Sequence, residues 1–377
     1  MIKRTLSAAV VAAALLAACT TAPDPTGKQA SFKDAFADDF LVGAAINKKQ
    51  IWGDAALKGF IAEQFNALTA ENEMKWVRIQ PQEGRYDWST ADKLVEFTQA
   101  NNIHLTGHTL LWHQQTPDWV FEDEQGNPAT RELLLARLKS HIFTVVGRYK
   151  GQVPSWDVVN EALNDDGTMR ESKWYQQLGP DYLIKAFDYA HQADPQAKLY
   201  YNDYNLYLPQ KRQGAIELVK QVQQAGIPVH GIGMQGHYGI GHPQNLTDIE
   251  DSIVAFSSLG EVLVTELDVS VLPFPEEGSE GADLDLTVAL SDEYNPYVDG
   301  LPKQQQSELN DQYLALFDIY LKHKDKISRV TFWGVDDAQS WRNNWPVPGR
   351  TDYPLLIDRN RELKPVTHTL FDRARSR

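Results

Sequence analysis

Short apolar runs recur along the chain, with amphipathic stretches between them. Eight runs read as strands: Leu41–Asn47, Ala67–Asn72, His104–Trp112, Ser155–Glu161, Lys198–Asn205, Gly231–Tyr238, Val262–Val269 and Val330–Asp336. The stretches between carry helical spacing. Asp92–Gln99 is one, and Arg131–Tyr149 repeats Leu134, Leu138, His141, Ile142, Val145 and Tyr149 along one face. Gln213–Ala225 is stopped by Gly226, and Gln305–His323 carries Leu309, Tyr313, Leu316, Phe317 and Tyr320. Strands alternating with helices over about 340 residues predict a single-domain α/β fold, the (β/α)8 TIM barrel. A doubly wound open sheet is the competitor. It loses its usual support because no G-x-G-x-x-G opens a first helix. The longest irregular stretch, Pro273–Lys303, follows the seventh strand and is acidic.

The front of the chain has a different pattern. Met1–Arg4 is basic, Leu6–Ala18 is apolar, and Cys19 follows. The apolar run is too short to span a bilayer and reads as an export signal. Leu16-Ala17-Ala18-Cys19 resembles the lipobox of bacterial lipoproteins, in which the cysteine is lipidated and becomes the mature N-terminus. An ordinary signal peptide with a chance cysteine is the alternative. The expected division is a lipoprotein signal peptide over 1–18, a polar tether over 19–35 and a catalytic domain over 36–377. A lipid on Cys19 would hold an exported, soluble, monomeric domain on a bacterial membrane, expected to be the outer membrane.

Composition adds limits. The 377 residues are 42% hydrophobic and 23% charged, an ordinary globular balance. The formal net charge of −15 argues against a nucleic-acid surface and is silent on neutral ligands. The single cysteine rules out an intrachain disulfide. The 10 Trp and 15 Tyr suit either a large core or a sugar-binding cleft. Trp52, Trp88 and Trp156 read as core; Trp112, Trp333 and Trp341, at or beyond strand ends, read as substrate contacts.

Chemistry in such a barrel gathers at the C-terminal strand ends. There the sequence places Glu71-Asn72 with Lys75, Trp112 to Gln115, Asn160-Glu161, Asn202-Asp203, Gln235 and His237, Glu266 and Asp268, and Trp333 to Asp337. The fourth strand, SWDVVNEAL, runs straight into an amide and a carboxylate, which is costly without a partner. The seventh strand, opposite in a barrel, offers Glu266. Two glutamates across one cleft are the equipment of glycoside hydrolysis. Residues two apart share a strand face, so Glu266 and Asp268 face one way, and His237 on the adjacent strand reaches both. A histidine between two carboxylates favours the ionised form of Glu266, as a nucleophile needs. Glu161, flanked by Val159 and Ala162, suits the acid/base.

No metal or cofactor is called for. His104 and His108 share a face but lie roughly 13 Å apart on a strand, too far to chelate one ion. The acids Asp283, Asp285, Asp292 and Glu293 read as a solvated loop, with a structural calcium site as the alternative.

Seven stretches together resemble glycoside hydrolase family 10, the retaining endo-β-1,4-xylanases. They are TAENEMKW (Thr69–Trp76), GHTLLWHQQTPDW (Gly107–Trp119), WDVVNEAL (Trp156–Leu163), YYNDYN (Tyr200–Asn205), GIGMQGHY (Gly231–Tyr238), VTELDV (Val264–Val269) and FWGVDDAQSW (Phe332–Trp341). The resemblance implies Glu161 as acid/base and Glu266 as nucleophile, and Asn160 on the 2-hydroxyl of the reacting sugar. It implies His237 ordering Glu266, with Asp268 behind it. Glu71, Asn72, Lys75, His108, Trp112, Gln235, Trp333 and Trp341 would line the subsites on the non-reducing side. Gln115, just past the third strand, joins this candidate set. The implied substrates are xylan and xylo-oligosaccharides. A β-1,4-glucanase, a β-xylosidase and a sugar-binding protein without catalysis are the alternatives.

Overall fold

A computed structural model describes residues 30–275 and 288–377, and Ser31–Arg377 forms one compact unit. Among the described residues nine strands appear: β1 (Leu41–Ile46), β2 (Ala67–Ala70), β3 (His104–Trp112), β4 (Ser155–Asn160), β5 (Lys198–Asp203), β6 (Gly231–Met234), β7 (His237–Gly239), β8 (Glu261–Ser270) and β9 (Ile327–Phe332). All neighbours pair in parallel, in the order β6-β5-β4-β3-β2-β1-β9-β8-β7. A further β6–β8 pairing closes the sheet. Because β6 and β7 both pair with β8, they form one interrupted stave, and the barrel has the eight staves expected.

The interruption is local. The expected sixth strand ran unbroken from Gly231 to Tyr238, but Gly236 adopts φ +82 and breaks it. Only glycine enters that region without cost. Gly107 serves closeness instead: a Cβ there would sit 2.1 Å from the Trp156 ring on the adjacent strand.

The helices follow in chain order. They are α1 (Phe32–Ala35), α2 (Lys48–Ile51), α3 (Ala55–Gln64), α4 (Trp76–Ile79), α5 (Ser89–Ala100), α6 (Arg131–Arg148), α7 (Lys173–Leu178), α8 (Asp181–Ala193), α9 (Pro209–Gln224), α10 (Thr247–Phe256), α11 (Lys303–Lys322) and α12 (Pro365–Arg375). Local chemistry sets their ends. Thr130 caps α6 by accepting the Leu133 N–H at 3.2 Å, and Pro209 opens α9 where its missing N–H costs nothing. The apolar face predicted for α6 is the buried one: Leu134, Leu138, His141, Ile142 and Val145.

Two further expectations change. The tether was expected to reach residue 35, yet Phe32 and Phe36 are fully buried. Phe32 stacks on Phe65 at 5.6 Å and meets Phe332 and Phe371 edge-on, so the folded body starts at α1. Trp52 is not core: it is 53% exposed, its indole N–H donating to Thr90. Residues 1–18, expected to be a signal peptide, and Cys19 lie outside the described residues.

Candidate active site

The polar end of β4 is a backbone device. Glu161 has φ +56, a left-handed conformation that costs a non-glycine residue on the order of 1 kcal/mol. Consecutive strand residues point to opposite faces, but this turn brings Asn160 and Glu161 to the same side. Asn160 Nδ2 donates to Glu161 Oε1 at 3.1 Å. Trp112 Nε1 donates to Oε2 at 2.9 Å, and Gln235 Nε2 to Oε1 at 2.9 Å. Register aids this, since Trp112 lies beside Asn160 and Asn160 beside Asn202 across three strands. Burial pushes the Glu161 carboxyl up from its ordinary range, aided by the negative charges of Asp203 and Glu266.

Glu266, on β8, has the opposite bias. Asn202 Nδ2 donates to its Oε1 at 2.8 Å, and His237 Nε2 lies 3.1 Å from Oε2. Burial alone would raise this carboxyl, but the His237 hydrogen bond and the charges of His108, His237 and Lys75 hold it below its ordinary value. Behind it, His237 Nδ1 pairs with Asp268 Oδ2 at 3.0 Å. Arg342 donates to Asp268 Oδ1 at 3.1 and 2.9 Å, and Trp341 Nε1 to Oδ2 at 2.7 Å. Although burial opposes its charge, His237 is held up to about 9 by Asp268 and Glu266. Asp268, also working against burial, is held down to about 2 by Arg342 and His237. The link from Glu266 through His237 to Asp268, expected from strand alternation, is therefore present.

The two glutamates share one hydrogen-bonded bridge. Asn202 Nδ2 donates to Asn160 Oδ1 at 2.9 Å as well as to Glu266. Both carboxylates line a cavity of about 310 Å³ with Glu71, Asn72, Lys75, His108, Trp112, Gln115, Asn160, Gln235, His237, Trp333 and Trp341. Every sugar-binding candidate from the sequence thus borders one cleft. Asp268 lies behind it, fully buried.

Further charged side chains border the cleft. Burial and the neighbouring Glu73 push Glu71 up to about 7, against the pull of Lys75. Lys75 is itself pushed down by burial, against the carboxylates of Glu266, Glu71 and Glu161. Its Nζ donates to Asn72 Oδ1 at 3.0 Å and lies 4.8 Å from the Trp112 ring centre. His108 Nδ1 bonds Asp157 at 3.0 Å.

Sequence reasoning missed several participants. Asn344 and Trp345 line the cleft, and Trp345 stacks on Trp341 at 4.6 Å. Asn202 was noted at a strand end but not assigned to the site; its position level with Asn160 was the available signal. A second hollow of about 640 Å³ is walled by Tyr204, Asn205, Tyr238, His242, Phe274 and Tyr297. It shares His237, Trp341 and Trp345 with the first. Among the described residues, no cluster of three His, Cys, Asp or Glu is arranged to hold a metal. Of the calcium candidates, Asp283 and Asp285 lie outside those residues, and Asp292 and Glu293 are exposed.

Two carboxylic acids biased in opposite directions, at the C-terminal mouth of a (β/α)8 barrel, are what a glycoside-cleaving enzyme requires. Comparison with known proteins narrows that class: the chain belongs to glycosyl hydrolase family 10, whose family model matches residues 31–373. Endo-1,4-beta-xylanase A of Xylanibacter ruminicola is 49% identical over 345 residues, covering 91% of this chain and 93% of that one. An endo-1,4-beta-xylanase of Geobacillus stearothermophilus is 42% identical, covering 89% and 96%. Among solved structures, a GH10 endoxylanase from a sugarcane soil metagenome superposes with a TM-score of 0.86 at 42% identity, covering 92% of this chain and all of that one.

Proposed function

We propose that the protein is a retaining endo-β-1,4-xylanase that cuts internal bonds of xylan and xylo-oligosaccharides, with Glu161 as acid/base and Glu266 as nucleophile. The observation that carries this reading is the opposed bias of the two glutamates on one bridge of Asn160 and Asn202. The names of the relatives support the substrate.

In the first step Glu266 attacks the anomeric carbon while Glu161 gives its proton to the departing glycosidic oxygen. The bond to that oxygen breaks, and a covalent glycosyl-enzyme forms. In the second step the ionised Glu161 takes a proton from water, the hydroxide attacks the same carbon, and Glu266 leaves as a carboxylate. Two inversions give net retention. Such a pair works at about 5–5.5 Å, whereas an inverting pair needs about 6.5–9.5 Å. Asn160, bonded to Glu161 and Asn202, would meet the 2-hydroxyl of the reacting sugar, as the family resemblance implies. His237 and Asp268 keep Glu266 ionised and aimed.

Substrate choice follows from crowding. Xylose lacks the hydroxymethyl group that glucose carries at C5. Trp333, Trp341 and Lys75 border the cleft; if they close over the C5 position, glucose clashes there and xylose fits. Xylan is expected to be cut about 100-fold faster than carboxymethyl-cellulose, measured as reducing ends released. Equal rates would remove the xylan assignment and keep the glycosidase. Xylohexaose is expected to give internal cuts; stepwise release of xylose would indicate a β-xylosidase instead.

The lipid anchor is part of the same proposal and rests on Leu16-Ala17-Ala18-Cys19. In a bacterial host, the full-length protein is expected in the membrane fraction with a radiolabelled acyl chain. Cys19→Ser is expected to move the activity to the soluble fraction and lose the label. An unlabelled wild type would show an ordinary secreted enzyme.

A further inference from the structure

Directly behind the backbone of Glu161 lies a buried ion cluster that no step above uses. Asp203, the last residue of β5, is fully buried. Its Oδ1 accepts the Tyr204 N–H at 2.9 Å and pairs with Lys211 Nζ at 3.1 Å. Its Oδ2 accepts the Leu163 N–H at 3.4 Å and the Tyr201 hydroxyl. That hydroxyl in turn accepts the Ala162 N–H at 3.2 Å. The two peptide groups after Glu161 are therefore docked on Asp203 and its partner Tyr201. On the other side, the Glu161 N–H donates to the Asn202 carbonyl at 2.9 Å, and Arg170 Nε donates to the Glu161 carbonyl at 3.2 Å. A left-handed residue persists only when its surroundings over-determine it. Here the flanking peptides are held on both sides.

The cation is as unusual as the anion. Lys211, on α9, is fully buried and bonds Asp165 at 3.0 Å as well as Asp203. Its Nζ lies 3.4 Å from the Tyr204 ring centre. A buried lysine is costly unless paired, and an unpaired buried aspartate would take up a proton. Burial pushes the Asp203 carboxyl up from its ordinary range, and Lys211, the Tyr201 hydroxyl and Arg170 pull against that in favour of a negative Asp203.

We propose that Asp203 and Lys211 are positioning residues for proton donation by Glu161, setting from β5 and α9 both the orientation of that carboxyl and the charge it faces. The inference rests on Glu161 being the acid. The other charged and titratable groups facing Glu161 are Glu266 on β8, Lys75 after β2, Arg170 in the loop after β4, and Tyr204 after β5. Lys75 and Arg170 favour an ionised Glu161. Asp203 and Glu266 oppose it.

The test uses Asp203→Asn, which keeps the shape and removes the charge. The expected result is an alkaline limb of kcat/KM moved down by about one pH unit. An aryl xylobioside with a poor leaving group is expected to slow about tenfold at neutral pH. One with a 2,4-dinitrophenolate leaving group, which needs no proton, is expected to change less than about threefold. A folded variant with an unmoved limb and equal losses on both substrates would overturn the proposal. Lys211→Met, in which Asp203 should take up a proton, is expected to move the limb the same way; an unmoved limb there overturns it equally. Glu161→Ala serves as the control for the reading beneath. If that variant shows no dependence on the leaving group, the assignment of Glu161 itself fails.

Discussion

Glu266→Ala is expected to lower kcat on xylan by about 10⁵-fold while the protein stays folded. Removing a nucleophile that acts as a unit with its partners costs this order of magnitude. The substitution deletes an acceptor from Asn202 at 2.8 Å and from His237 at 3.1 Å, so some stability is lost as well. Circular dichroism and a melting curve separate that loss from the chemistry. Azide, small enough for the vacated space, is expected to restore turnover on an activated aryl glycoside by direct displacement. The product would then have the anomeric configuration opposite to the substrate's. Activity within tenfold of the wild type would show that Glu266 is not the nucleophile.

Glu161→Ala is expected to lower kcat on xylan by about 10³- to 10⁴-fold, because the departing oxygen then leaves without a proton. A dinitrophenyl xylobioside should still give a rapid burst, followed by slow turnover, because water loses its base. The pH profile carries the sign of both groups. Donation needs a protonated Glu161, so the wild-type rate falls as pH rises through its raised pKa. Attack needs an ionised Glu266, so the rate falls as pH drops through its lowered pKa. The bell is therefore widened on both sides of the ordinary carboxylate value. Glu161→Ala is expected to lose the alkaline limb and keep the acidic one. Loss of the acidic limb instead would reverse the two roles.

Much of this site was legible before any coordinates. Strand-like runs ending in polar residues are readable because folding favours apolar residues there, and eight of them alternating with helices leave few architectures. The His237–Glu266–Asp268 cluster follows from the two-residue repeat of a strand together with the spacing of adjacent strands. Where the reading stopped, the cause was physical. A four-residue helix such as α1 has too few positions to show a period, so Phe32 passed as tether. A ring at helical or strand spacing does not reveal its exposure, so Trp52 passed as core. Gly236 could have been read as a break, but a glycine in a strand also fits close approach, as Gly107 shows.

The barrel, its polar mouth and the two glutamates can be read from the chain alone, because each is written in local periodicity and residue type. The direction of each bias is foreshadowed in the chain, but the buried partners that hold and aim each carboxyl come only with the fold. Arg342 meets Asp268 from 74 positions away, Gln235 meets Glu161 from 74, and Lys211 meets Asp165 from 46. Pairings at such separations leave no periodic trace in the chain. They exist only once barrel closure brings the strand ends, with the loops and helix that follow them, into reach of one another, and buried charges take their sign of shift from whichever neighbours that closure supplies.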